Sequence, residues 1–139
     1  LLGVGSGVSF IIATIGGIVA WQNWGGPTAL ANGGFADYAW VFIVEFALIA
    51  LAAVGLLIAK KSQYISSAVA FIVGVHFFWL APVFQDPWLH VLAAWVTLAS
   101  IVPLFIYKKV GISLVTLTCT MVAIPLFVFA LRGLLIALF

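Results

Sequence analysis

A chain of 139 residues that is 67% hydrophobic and 6% charged, with a mean hydropathy of +1.39, lacks the polar surface of a soluble domain, which averages about 25% charged residues. The composition excludes a water-soluble fold and implies an all-α, polytopic membrane helical bundle, expected as a single transmembrane domain over 1–139. The net charge of +2 is too small and too dispersed to mark a nucleic-acid partner, and the one cysteine, Cys119, excludes an intrachain disulfide and C-x-x-C redox chemistry.

A hydrocarbon core about 30 Å thick needs roughly 20 apolar residues of helix. The first stretch to meet this is 2–21. The sequence begins at Leu1 rather than Met, so a short leader is expected to precede it. Ala29-Leu30-Ala31 resembles a signal-peptidase site, but the run before it is long, lacks a basic start and ends in tryptophans. It is therefore read as a retained helix. Gly3, Gly7, Thr14 and Gly17 form a small-residue stripe for packing. The polar, glycine-rich "QNWGGPTALANGG" follows as a long connection.

The second span, 38–59, carries Glu45 and a small stripe of Ala52, Gly55 and Ala59. "KKSQ" turns the chain into the third span, 64–83. There Ser67, Ala70, Gly74 and Ala81 form another small stripe, and His76 is followed by Phe77, Phe78 and Trp79. "QDP" is the next turn, with Pro87 at the first turn of the fourth span, 88–107, which holds His90 and Pro103. After "KKVG" the fifth span covers 111–131 or beyond, with Pro125, Arg132 and the apolar tail "GLLIALF". Pro103 and Pro125 are expected kinks.

Lysine placement orients the spans. Lys60-Lys61 and Lys108-Lys109 fall in alternate loops, while the other loops hold Asp37 and Asp86. By the positive-inside rule the lysine side is cytoplasmic, which puts the N-terminus inside and the C-terminus outside. Trp21, Trp24, Tyr38, Trp40, Tyr64, Trp88 and Tyr107 lie near span ends, where aromatic rings anchor at the headgroups. The run H-F-F-x-L-A-x-x-F from His76 to Phe84 resembles segments of small bacterial membrane proteins. That resemblance implies a multi-pass protein of a prokaryotic plasma membrane and nothing about its role.

Ionisable residues inside spans are rare and mark functional sites by default. Here they are Glu45, His76, His90 and Arg132. Glu45 is seven residues in from Tyr38 and His76 seven before Val83, each about 10 Å from the outer end of its span at 1.5 Å per residue. His90 and Arg132 stand at outer span ends, so all four are expected in the outer half. Glu45 shares a helix face with the small stripe of its span, and His90 with Ala94 and Thr97. Arg132 lines up with Pro125, Met121 and Thr118. His76 fits less well, because its face runs through Val69, Ile72, Leu80 and Val83, nearly opposite the small stripe. Bland readings stand beside each. A desolvated carboxyl favours its neutral form and then donates one hydrogen bond; His76 can be structural, His90 interfacial, and Arg132 can reach up to the headgroups.

The chemistry this set supports best is a small-ligand or proton-linked transport or permeation site in the outer half, with Trp79, Phe77 and Phe78 as an aromatic wall. One carboxylate and two imidazoles also suit a metal or a haem. However, the histidines are fourteen positions apart across a turn, unlike the three-to-five spacing of helical zinc pairs, so no cofactor is expected. Ser66, Ser67, Ser100, Thr116, Thr118 and Thr120 read as packing hydroxyls, not nucleophiles, which makes an enzyme the less favoured reading. The alternative is a non-catalytic accessory, assembly or immunity-type subunit. Expected partners are the lipid bilayer and either a second copy of the chain or another membrane protein.

Overall fold

The computed structural model describes residues 2–22 and 34–138, except the side chains of 2–9, 20, 34–38 and 137. It consists of α1 (Leu2–Gln22), α2 (Gly34–Ile58), a short 3-10 turn (Ser62–Tyr64), α3 (Ile65–Phe84), α4 (Trp88–Val110) and α5 (Leu114–Leu138). No strand occurs among the described residues. A bilayer imposes this economy, since only a helix or a closed barrel satisfies every backbone polar group without water. The chain is an all-α membrane helical bundle. Four helices, α2 to α5, each hold at least 20 residues long and apolar enough to cross a membrane. Within the described side chains α1 contributes the apolar stretch Phe10–Val19. The connection at 23–33, including the Ala29-Leu30-Ala31 site and Trp24, lies outside the described residues.

Helix bounds differ from the apolar spans in an instructive way. α2 begins at Gly34, four residues before Tyr38, and α4 runs through Lys108 and Lys109 to Val110. Counting apolar residues measures the thickness of the oil, whereas a helix continues into the headgroup layer until local chemistry stops it. For α4 the stop is Gly111 at φ +72°, whose N–H donates to the Tyr107 carbonyl at 3.1 Å, a left-handed cap that glycine adopts without strain. α5 then starts late, at Leu114, because the Ser113 hydroxyl accepts from the Thr116 N–H at 3.2 Å, as an N-cap serine does. It runs on through Arg132 and the apolar tail to Leu138. Pro82, Pro103 and Pro125 all sit inside helices.

The chain divides into two compact units, Leu1–Thr28 with Leu126–Phe139, and Ala29–Pro125. In the first, Thr14 is exposed and donates its hydroxyl to the Phe10 carbonyl at 2.8 Å. A side-chain carbon at Gly17 would meet nothing within 4 Å. The stripe expected on α1 is therefore not a packed seam at Thr14 and Gly17. Gly3 and Gly7 fall outside the described side chains.

In the second unit α3 is the central helix, packed chiefly on α4 and also on α2. Its small stripe is buried as expected, with Ser67, Ala70, Gly74 and Ala81 joined by Leu80. The facing seam of α4 is Leu89, Leu92, Ala93, Val96, Ala99, Ser100 and Pro103, a three-and-four spacing that keeps one side of a helix against its neighbour. Lipid tails are as apolar as leucine, so association rests on close packing rather than on escape from water. The tightest point is Gly74. A Cβ there would lie 2.5 Å from Thr97 Oγ1 and 2.7 Å from the Thr97 backbone nitrogen. The first part of α5 joins through Thr118, 1% exposed, whose hydroxyl shares a 3.1 Å hydrogen bond with Ser67.

Candidate functional site

Two antiparallel helices joined by a short turn bring together residues at similar distances from that turn. Glu45 lies thirteen residues before Ile58, the end of α2, and His76 eleven after Ile65, the start of α3. At 1.5 Å per residue these are about 20 and 17 Å from the turn, so the two sit at one level. They also face each other. His76 Nδ1 lies 3.2 Å from Glu45 Oε2, and the two side chains are only 8% and 11% exposed.

The reason lies in the helical phase of α3. His76 and Gly74 are roughly 200° apart around the axis, so when the small stripe packs on α4, His76 is turned towards α2. The misfit noted on the sequence is resolved by a helix that packs on both sides. On α2 the half-buried face runs through Val41, Glu45, Ile49, Ala52 and Leu56, while Gly55 and Ala59 are exposed. Glu45 thus shares its face with Ala52 but not with the rest of the expected stripe.

The pair sits in the wall of a groove of about 220 Å³ between α2 and α3. Its other walls are apolar: Val41, Val44 and Leu48 from α2, and Phe71, Ile72, Val75 and Trp79 from α3. These wall residues follow the three-and-four spacing that would have revealed them in the sequence, had the two faces been known to meet. Trp79 is 68% exposed and forms the groove's rim near His76.

His90 is not part of this arrangement. It is exposed, and its ring lies 6.1 Å from that of Phe78, which is about 200° round α3 from His76. It lines a separate, wider groove of about 600 Å³ with Val91, Ala94, Trp95, Leu98 and Met121. The interior position expected from its shared face with Ala94 and Thr97 is corrected: the buried side of α4 is offset from that face. The aromatic wall is likewise divided, with Trp79 beside the first groove and Phe78 beside His90. Arg132 belongs to the other unit, half-buried on α5 with its guanidinium 5.4 Å from the centre of the Phe129 ring. Among the described residues no three or more His, Cys, Asp or Glu side chains gather as a metal site would require.

The Glu45–His76 contact has defined chemistry. One proton shared between carboxyl and imidazole gives either a carboxylate–imidazolium ion pair or a neutral hydrogen-bonded pair, and both carry zero net charge. Interconversion moves a proton and no heavy atom. A second proton, or the loss of the first, leaves an uncompensated charge among apolar groups, which costs several kcal/mol of order.

No protein-family model matches the chain, and no curated protein or solved structure matches it.

Proposed function

We propose that the chain is a proton-linked permeation or small-ligand-binding membrane protein whose working pair is Glu45 and His76. The observation that carries this reading is their 3.2 Å contact inside an otherwise apolar helix interface. Intramembrane ionisable groups are costly, and proton relays are among their established uses. The groove supports the reading further, because it leads along exposed apolar walls to the two polar groups. Its occupant would carry an apolar body and one hydrogen-bonding group, and would arrive sideways from the bilayer. A five-helix chain makes a short pathway, so a second copy or another membrane protein would complete a route across.

The test is proton flux into proteoliposomes driven by a pH gradient and read by an internal pH dye. Wild-type protein should raise flux above protein-free vesicles, and Glu45→Gln, which keeps the shape and loses the charge, should lower it by about a hundredfold or more, in the range that loss of one proton-transfer group produces. Equal flux from both proteins would reject the proposal.

A further inference from the structure

The Glu45–His76 contact uses one nitrogen and one oxygen, His76 Nδ1 and Glu45 Oε2. Among the described residues no hydrogen bond reaches the other two polar atoms, His76 Nε2 and Glu45 Oε1. They are not sealed in the helix interface, where the buried hydroxyls without a partner are those of Ser66 and Thr97. Both residues line the groove between α2 and α3, so the two atoms open into it.

Their hydrogen-bonding character is fixed by the pair itself. In the carboxylate–imidazolium form both ring nitrogens carry hydrogen. In the neutral form the carboxyl donates to Nδ1, and the imidazole hydrogen stays on Nε2. Either way the groove offers one donor, Nε2–H, and one acceptor, Oε1. A ligand for a pair of zero net charge in apolar surroundings is itself neutral, because an added ion would stand uncompensated there. Depth narrows the class further. The pair lies about 17–20 Å from the turn between α2 and α3, deep within a hydrocarbon core of about 30 Å. Phosphate and carboxylate headgroups stay at the membrane surface, whereas a neutral ring with carbonyl groups dissolves at that depth. Trp79, 68% exposed at the rim beside His76, offers a flat face on which such a ring can lie offset.

We propose that the groove binds the headgroup of a lipid-soluble quinone. One quinone carbonyl accepts from His76 Nε2–H, the ring rests along Trp79, and the apolar tail leaves through the open side of the groove into the bilayer. The quinol form, with hydroxyls in place of carbonyls, finds its acceptor in Glu45 Oε1. This assignment rests on the reading of Glu45 and His76 as a working site and names the ligand of that site.

Calorimetric titration of the full chain in micelles with a decyl-substituted benzoquinone tests it, with decylbenzene as a probe of equal tail and no carbonyl. Wild-type protein should saturate at one quinone per chain and bind decylbenzene more weakly. Glu45→Leu/His76→Phe, which removes both polar groups and leaves neither partnerless, should weaken quinone by about fivefold or more, the worth of one hydrogen bond. Decylbenzene should be unaffected by it. Trp79→Leu should weaken quinone by about threefold or more, and His90→Phe, in the other groove, should change nothing. Equal affinity of the wild type for the two probes would overturn the proposal. So would equal quinone affinity in the wild type and the double variant, or a loss in His90→Phe as large as theirs. Glu45-dependent proton flux without quinone preference would overturn the quinone alone and leave the pair a working site. Quinone binding that needs the pair, in a protein without proton flux, would uphold the ligand and remove the proton-linked reading.

Discussion

Glu45 and His76 are each other's polar environment, so the cost of changing one depends on the other. Truncating Glu45 to an apolar residue leaves the His76 Nδ1, 8% exposed on its side chain, without its carboxylate, and a buried polar group without a partner costs about 1–3 kcal/mol. Replacing both by apolar residues removes the debt altogether. Glu45→Leu should therefore destabilise by about 1–3 kcal/mol, while Glu45→Leu/His76→Phe should cost less than Glu45→Leu alone. Denaturant titration of the full chain in micelles measures both, and simple additivity would show that the side chains do not interact. Both residues were legible in the sequence as ionisable groups at matching distances from their span ends. Their shared depth already pointed to Glu45 and His76 as the core of one site, and the 3.2 Å contact agrees; what the sequence left open was the face of His76, nearly opposite the small stripe of its own helix. His90 takes the interfacial alternative and not the interior one: it is exposed, as is Ala94 on the same face.

At the scale of helices, α3 organises its unit by having two different faces. One is small and lets α4 approach until Thr97 occupies the space that a Gly74 side chain would take; its hydroxyl oxygen is buried with no hydrogen-bond partner. The other face is larger and carries His76. Gly74→Ala should push α3 and α4 apart and destabilise by about 1–3 kcal/mol, the usual cost of overpacking a close contact. Adding Thr97→Ala should restore only part of this, because the Thr97 backbone nitrogen remains 2.7 Å from the new methyl. Full rescue, or no effect of Gly74→Ala in thermal unfolding, would refute the close approach. The stripe Ser67–Ala70–Gly74–Ala81 was readable because four small residues at helical spacing have few other uses in a membrane. Helix ends were less readable, since Asp37, Lys108 and Lys109 are polar yet helical, and only caps such as Gly111 and Ser113 mark where hydrogen bonding stops.

At the scale of the molecule, composition alone specifies a membrane helical bundle, and the positive-inside rule predicts an orientation with Lys60 and Lys108 facing the cytoplasm. Single-cysteine variants in a Cys119→Ser background test the orientation. An impermeant maleimide applied to intact cells should label Asp86→Cys, and should label Lys60→Cys only after permeabilisation; the reverse pattern would invert the topology. Orientation matters because a proton-linked pair needs access to a defined side. The central claim is that the Glu45–His76 contact is a working site and not merely a tie between α2 and α3. Proton flux through proteoliposomes of Glu45→Leu/His76→Phe, the variant expected to stay folded without the pair, decides it most directly. Flux at the level of protein-free vesicles is the predicted result, and flux equal to the wild type would contradict the account.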